Sequence, residues 1–184
     1  MITIVVMTLS GCGNRQSSEE KQKTDTPEYA KALDVLNAVV DSYEEDELFS
    51  MYGGDQEHAV ADAPGAFDME KKEELDVSFG LPESEYDKVD DVATMVHMMN
   101  ANTFTGAAYR LKEGTDTDAF ADAVKSAILA KQWICGQPDT LVVIQAKDAY
   151  VITVFGEAGL VEVFKTHALS ALDGAEVITE APIA

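Results

Sequence analysis

A short run of sulfur and imidazole side chains is the most chemically suggestive feature of this sequence. Met95-Val96-His97-Met98-Met99 lies in an apolar stretch of β-type composition. Because side chains alternate along a strand, Met95, His97 and Met99 would point to one face. Two thioethers and an imidazole are soft ligands that suit Cu(I). The alternative, which we favour, is a strand whose methionines fill the core while His97 lies at its rim, since methionine commonly fills such gaps.

Cys135 is the second residue with chemical potential, within Trp133-Ile134-Cys135-Gly136. A nucleophilic cysteine needs a nearby base or cation to form its thiolate. His58, His97 and His167 are the only histidines, and none stands in a sequence context typical of a cysteine hydrolase. We therefore interpret Cys135 as a small buried hydrophobic residue.

The 34 acidic residues suggest carboxylate chemistry but define no site. Asp116-Thr117-Asp118 with Asp122 has the look of a calcium loop, yet Ala121 and Ala127 occupy the positions where an EF-hand needs glycine and an acid. The acidic segment 83–91 would gather Ca²⁺ only loosely. Among so many acids, no glycosidase pair can be singled out. No serine-hydrolase, phosphate-loop or zinc-protease motif is present, so we predict no catalytic residue and no cofactor.

The net charge of −21 over 184 residues excludes several partners. Such a chain repels the phosphate backbone, so nucleic acid is not an expected partner. It is also repelled by anionic lipid, so attachment to a membrane needs a leader or a lipid. The 46% hydrophobic content is that of a globular protein with one core.

The N-terminus carries the most specific signal. Residues 2–9 are mostly apolar but too few to span a bilayer. The following Leu9-Ser10-Gly11-Cys12 resembles the lipobox of bacterial lipoproteins, in which the cysteine receives a diacylglyceryl group and the chain is cut before it. The resemblance implies that residues 1–11 are a signal peptide and that Cys12 becomes the lipidated N-terminus. A further fatty acid such as palmitate would make the anchoring stable.

Two features surround this motif. No Lys or Arg precedes Cys12, whereas a secretory signal usually has a basic start and is longer, so we expect the coding sequence to begin upstream. Residues 13–26 contain no sizeable apolar side chain. They cannot enter a core, and we predict that 12–26 form the lipidated cysteine and a disordered tether.

Periodicity and turn residues predict the remaining elements. A helix is expected from Pro27, capped by Thr26, to about residue 46, and the rest of 27–79 is expected to be irregular apart from a helical turn at 69–75. Two ββα units follow in an α+β domain at 80–176, with a tail at 177–184. The units comprise strands 89–99 and 103–111 with a helix opening at 114–118, then strands 141–146 and 149–155 with a helix at 157–172. We predict a two-layer sandwich with an antiparallel four-stranded sheet, helices on one face, and the N-terminal helix alongside.

The stretch from Asn102 to Leu172 is similar to a family of uncharacterised secreted bacterial lipoproteins, a domain of unknown function. The matching features are Tyr109-Arg110-Leu111-Lys112, Trp133, Gln137-Pro138 and Tyr150-Val151. The resemblance implies an exported lipoprotein of this topology. It supplies no activity and no site residues.

These patterns together predict a lipoprotein held at the extracytoplasmic face of the cell membrane through Cys12. Its domain is expected to be a non-catalytic binding or accessory module with an envelope protein or glycan as partner. The first alternative is a metal-binding lipoprotein, which takes copper at Met95, His97 and Met99 or calcium on its acidic surface. The second alternative is an envelope hydrolase that uses acids or Cys135.

Overall fold

The computed structural model describes residues 29–147 and 149–183, which form an α+β domain. Its helices are α1 (Ala32–Val40), α2 (Lys72–Phe79), α3 (Thr117–Leu129) and α4 (Ala158–Ala171), with a 3-10 helix at Glu83–Lys88. Its strands are β1 (Met51–Gly53), β2 (Val60–Ala61), β3 (Gly65–Phe67), β4 (Val89–His97), β5 (Phe104–Leu111), β6 (Thr140–Ala146), β7 (Tyr150–Gly156) and β8 (Glu176–Pro182).

All eight strands belong to one open antiparallel sheet, in the order β2-β1-β4-β5-β7-β6-β8, and β3 also pairs with β4. The two predicted ββα units are present as β4-β5-α3 and β6-β7-α4 and supply the four central strands. The predicted four-stranded sheet is nevertheless too small. Strands β1 to β3 come from the segment expected to be irregular, and β8 comes from the expected tail. Both additions cover edges of the central strands that would otherwise stay unpaired.

The helices pack on both faces of the sheet, so the predicted two-layer arrangement with helices on one face is wrong. Core 1 joins α2 and α3 to one set of strand residues, including Leu141 and Val143. Core 2 joins α1 and α4 to the alternate set, including Val142 and Ile144. Every residue of β7 is buried. Strands that are apolar at every position, without alternation, are those covered on both sides.

The helix predictions succeed where the apolar stripe is strong. In α3, apolar residues at helical spacing, Phe120, Val124 and Ile128, are fully buried. The cap of α3 is Asp116, whose Oδ1 accepts a hydrogen bond from the backbone N–H of Ala119 at 3.0 Å. Thr115, the preceding residue, is also of a type that caps helices. Either residue type satisfies a free N–H of the first turn, so composition does not choose between them.

Helix α1 is shorter than predicted. It begins at Ala32 and ends at Val40, and its inward face is Ala32, Val35, Leu36 and Val39. The predicted cap Thr26 and first residue Pro27 lie outside the described residues, as do Cys12 and the predicted signal peptide and tether. Helix α2 begins at Lys72 and runs beyond the helical turn expected at 69–75.

Strands β1 and β3 lie one after the other along the same edge of β4. The chain leaves this edge at Gly53 and returns at Gly65, so residues 54–64 form a loop, here called the 54–64 loop. The two backbones touch at its neck, because a Cβ on Gly53 would lie 2.0 Å from the backbone N of Gly65. The buried Thr94 hydroxyl closes the neck by accepting from the N–H of Gly54 at 3.0 Å and donating to its carbonyl at 3.1 Å.

Candidate functional site

The two ends of the central strands β5 and β7 differ in character. The register pairs Thr105 with Phe155 at one end and Arg110 with Tyr150 at the other. Five residues of strand separate these pairs, which corresponds to about 17 Å. The Tyr150 end is also where the described chain begins, since the Tyr150 hydroxyl donates to the carbonyl of Tyr29 at 2.7 Å. We call this the Tyr29 end and the opposite one the Trp133 end.

A cleft of about 340 Å³ opens at the Trp133 end. Four residues in register across neighbouring strands, Tyr52, Val96, Thr105 and Phe155, line it. Its other sides come from α2, from the segment 131–134 after α3, and from the 54–64 loop through Gly54 and Gln56. The volume falls at the lower end of the range for small-molecule sites.

The segment after α3 is held over the cleft by asparagines of the β4–β5 turn. The Asn102 side-chain amide donates to the carbonyl oxygens of Ile134 at 3.0 Å and Gly136 at 2.6 Å. The Asn100 amide donates to the Cys135 carbonyl at 3.4 Å. Cys135 itself adopts a φ of 65°, a left-handed conformation that is uncommon outside glycine. The turn and this segment therefore form one hydrogen-bonded unit at the rim of the cleft.

Aromatic rings line the interior of the cleft. The Trp133 ring packs against Phe155 with a centroid separation of 5.4 Å. Phe79 and Tyr52 also line the cleft. Burial raises the pKa of the Tyr52 hydroxyl, and the negative charge of Glu74 raises it further. The cleft thus combines an apolar interior with one carboxylate near a tyrosine.

Among the described residues, Lys131 is the one cation that lines this cleft. Its ammonium donates to the carbonyl of Val77 in the last turn of α2 and lies 5.6 Å from the centroid of the Trp133 ring. Burial lowers the pKa of Lys131, and the more distant charge of Asp76 only partly opposes this. Among residues 29–147 and 149–183, no carboxylate oxygen lies within 4.0 Å of its Nζ.

A buried carboxylate fixes the 54–64 loop against the cleft. Asp55 is 2% exposed and accepts hydrogen bonds from the backbone N–H of Glu57 at 2.9 Å and from His58 Nδ1 at 3.0 Å. The ammonium of Lys71 lies 3.2 Å away. Burial alone would raise the pKa of Asp55, but these donors outweigh it and hold the pKa well below its usual range. The adjacent Gly54 and Gln56 are positioned by this network.

The structure places the three predicted copper ligands in different surroundings. Met95 is fully buried in core 2, and Met99 is 83% exposed beyond the end of β4. The His97 ring stacks on Phe49 at 5.4 Å, and its Nδ1 accepts the backbone N–H of Met99 at 3.2 Å. Strand β4 ends at His97, so the alternation of side chains that would place Met99 on the same face as Met95 and His97 does not reach Met99. The burial of Met95 and the position of His97 match the packing alternative, and copper binding stays a prediction.

Cys135 is exposed, so its interpretation as a buried residue is wrong. The loop that carries it leaves the core after α3, and the neighbouring Ile134 is also exposed. The acids proposed for calcium have other roles: Asp116 caps α3, Asp90 pairs with Arg110, and Asp91 accepts the N–H of Ala32. Within the part of the chain that the structure describes, no three His, Cys, Asp or Glu side chains group as a metal site would require.

A hydrogen-bonded chain of serine, histidine and glutamate was not anticipated from the sequence. The Ser42 hydroxyl lies 3.0 Å from His167 Nδ1, and His167 Nε2 lies 2.8 Å from Glu47. However, the Ser42 hydroxyl also lies 2.6 Å from the Val39 carbonyl, to which it donates. A serine whose proton is committed to a backbone carbonyl is not poised to transfer it to the imidazole. The chain ties α4 to the segment after α1, and 125 residues separate its partners, so no local motif reveals it.

The cleft was missed because its residues are scattered over the sequence. Trp133 was noted only as a structural marker, and Lys131 and Glu74 lie in ordinary amphipathic contexts. No helix among the described residues is long and apolar enough to cross a membrane. Compared with known proteins, the chain matches no family model, no curated protein and no solved structure.

Proposed function

We propose that this chain is a lipid-anchored lipoprotein of the extracytoplasmic membrane face whose domain is a non-catalytic binding module. Its ligand site is the cleft at the Trp133 end. The lipobox-like residues before Cys12 and the resemblance to secreted lipoproteins support the proposed location at the extracytoplasmic membrane face. The cleft, which combines aromatic side chains with polar ones such as Glu74, Asn102 and Lys131, supports the binding role.

One observation carries the proposal most directly. Tyr29 lies beside Tyr150 at one end of the central strands, and the cleft lies at the other. A tether that leads from a lipidated Cys12 to Tyr29 would attach the domain by the end remote from the cleft. The attachment would then leave the cleft open to ligands of the envelope.

The extracytoplasmic location is tested by labelling intact cells with a membrane-impermeant maleimide. Cys135 is exposed and is the cysteine that such a reagent would reach once Cys12 carries lipid. We expect labelling of intact cells expressing the wild-type chain and none for Cys135→Ser. A Cys12→Ser variant should leave the lipid-anchored membrane fraction. Labelling that requires cell lysis would contradict an extracytoplasmic position.

The binding role is tested by thermal unfolding of the full chain with a panel of Ca²⁺, Cu(I), envelope glycans and small organic acids. A ligand at about a hundred times its Kd adds about 2.7 kcal/mol to the free energy of unfolding and raises the Tm by several degrees. We expect an organic ligand to do so without being converted. A rise with copper that is lost in His97→Ala would replace this function with the metal-binding alternative, and turnover of any panel compound would replace it with an enzyme.

A further inference from the structure

Half of the described cations have a carboxylate within 4.0 Å, and Lys131 belongs to the other half together with Lys31, Lys72, Lys112 and Lys125. It is the one of these five that lines the cleft. Lys71, Lys88, Lys147 and Lys165 each lie within 4.0 Å of a carboxylate, as does Arg110. Lys131 has no such partner among the described residues, although the chain carries a net charge of −21. Its partial burial makes an unpaired ammonium costly, and that cost falls when an anion arrives.

We infer that the cleft binds a small aromatic monocarboxylate, with its carboxylate at the Lys131 ammonium and its ring against Trp133. The inference rests on the proposed function and names the ligand class for the same site. Lys131 has three N–H donors, of which one is directed at the Val77 carbonyl. The other two are available for a carboxylate, and a charge-assisted hydrogen bond of this kind is stronger than one between neutral groups.

The remaining lining supports this ligand class. Trp133, Phe155, Phe79 and Tyr52 provide aromatic surface for an apolar body. Gln56 and Gln132 also line the cleft. Their side-chain amides can donate hydrogen bonds to a ligand in the cleft. The cleft therefore offers both halves of an amphipathic small acid.

The charge balance favours one negative charge over two. Glu74 lines the same cleft, and the whole domain is strongly acidic. One ammonium neutralises a monocarboxylate, whereas a phosphate dianion would retain a charge repelled by Glu74. A neutral sugar carries no anion to pair with the Lys131 ammonium, so it would lack the charge-assisted hydrogen bond that a carboxylate makes there.

The single tryptophan of the chain makes the test direct. Trp133 forms part of the cleft, so its fluorescence reports binding there without a label. The full chain is titrated with phenylacetate and, separately, with phenylacetamide, which has the same ring and replaces the charge with a neutral amide. We expect phenylacetate to bind at least about tenfold more tightly, since one charge-assisted hydrogen bond is worth about that factor.

Three variants assign the preference to Lys131. Lys131→Met keeps the length and apolar stem but removes the charge, and we expect it to bind the acid and the amide with equal affinity. Lys131→Arg should retain the preference for the acid. Lys125→Met is the matched control, because Lys125 lies on α3 and donates to Thr179 outside the cleft, and we expect it to behave as the wild type.

The outcomes separate this inference from the proposed function. Equal binding of acid and amide to the wild-type chain would overturn the inference while leaving a ligand-binding cleft in place. A preference for the acid that survives in Lys131→Met would also overturn it. If neither compound changes the Trp133 fluorescence at millimolar concentration, the aromatic-acid class is wrong, and the thermal panel then decides the proposed function separately. The comparison of acid with amide needs no variant, so misfolding of Lys131→Met does not leave the inference untested.

Discussion

The Tyr29 end and the Trp133 end are built from the same strands but differ in the partners of one cation at each end, Arg110 and Lys131. At the Tyr29 end, Arg110 Nε lies 2.6 Å from Asp90, and its guanidinium also donates to the carbonyl of Ala30. Asp91 accepts the N–H of Ala32 at 2.7 Å. At the Trp133 end, the ammonium of Lys131 finds a backbone carbonyl and an aromatic ring, with no carboxylate of the described chain within 4.0 Å.

This difference indicates that the cation at the Tyr29 end is paired within the folded domain, whereas the cation at the Trp133 end is available to a ligand. Paired charges and side chain–backbone bonds at the Tyr29 end secure α1 to the sheet. At the Trp133 end, Val77 and Ile134 expose 66% and 81% of their surface beside the cleft. Exposed apolar side chains beside a cleft with aromatic and polar lining are typical of a binding surface. Substitutions at the two ends should therefore have different consequences, and the following predictions are ordered by expected effect.

The largest effect is expected at the neck of the 54–64 loop. In Gly53→Ala the new methyl group would lie 2.0 Å from the backbone N of Gly65 and 2.5 Å from the carbonyl oxygen of Thr94. Backbone cannot move aside as a flexible side chain does, so we expect a loss of about 3 kcal/mol or more in the free energy of unfolding. Chemical denaturation measures it.

The matched control is Gly159→Ala in α4, where an added Cβ meets nothing within 4 Å. Alanine favours a helix over glycine, so this variant should be unchanged or slightly more stable. Equal stability of Gly53→Ala and Gly159→Ala would show that the neck is not as close as described. The cleft side formed by the 54–64 loop would then lack its support.

The second effect concerns Asp55, whose pKa is held well below its usual range. Asp55→Asn removes the charge that Lys71 and His58 face, and we expect a loss of about 2 kcal/mol at neutral pH. A lowered folded-state pKa contributes stability above the ordinary value of 3.8, and this contribution is lost as the pH falls below it. The difference from wild type should therefore shrink on acidification.

Glu57→Gln is the control for this prediction. Glu57 contacts the same Lys71 at 3.1 Å, but its side chain is 74% exposed. We expect a change of less than about 0.5 kcal/mol, as for other exposed pairs. If the difference in the free energy of unfolding between wild type and Asp55→Asn stays constant from neutral pH to well below pH 3.8, the lowered pKa of Asp55 does not contribute to stability.

A smaller effect is expected at His167, on the face remote from the cleft. His167→Phe keeps a ring against Tyr43, 4.9 Å away, and removes the bonds to Ser42 and Glu47. We expect a loss of about 1 kcal/mol in stability. Phenylacetate binding should not change, and both proteins should hydrolyse p-nitrophenyl acetate no faster than buffer. If the wild-type protein hydrolyses the ester and His167→Phe does not, then Ser42, His167 and Glu47 form a catalytic site, which would contradict the binding role.

The smallest stability effect is expected for Arg110→Met at the Tyr29 end. The pair with Asp90 is about one-third exposed, so it should contribute less than about 1 kcal/mol, and less still at high salt. Lys131→Met should change stability by a similar amount. Only Lys131→Met should lose the preference for the acid. A loss of that preference in Arg110→Met would remove the distinction between the two ends.

Local patterns were enough to predict the central strands and two of the helices. The apolar stripe of α3, the β4–β5 hairpin and the β6–β7 pairing follow from spacing and turn residues. The same patterns also contain evidence for a second helical layer. Leu141–Ala146 and the run from Ala149 to Phe155 are apolar almost throughout, and such continuity indicates burial on both faces. The prediction of one helical layer followed from the order of elements and ignored this.

The cleft and the outer strands depend on contacts that spacing does not reveal. Strands β1 to β3 are two or three residues long, and the pairing of β1 and β3 with β4 relies on the approach of Gly53 to Gly65. Two glycines twelve residues apart carry no signal of that kind. Trp133 and Phe155 meet only when β7 and the segment after α3 are placed side by side. Sequence alone therefore predicted the α+β class and the four central strands, and missed the outer strands, the second helical layer and the cleft.

Hydrogen exchange of the full chain, with and without saturating phenylacetate, compares the two ends in one experiment. The account predicts slower exchange in peptides that cover 74–79 and 131–136, because both line the occupied cleft. Peptides that cover 29–34 and 149–151, at the Tyr29 end, should exchange unchanged. Protection confined to the Tyr29 end or to α1 and α4, or no protection at either end, would contradict the assignment of ligand binding to the Trp133 end.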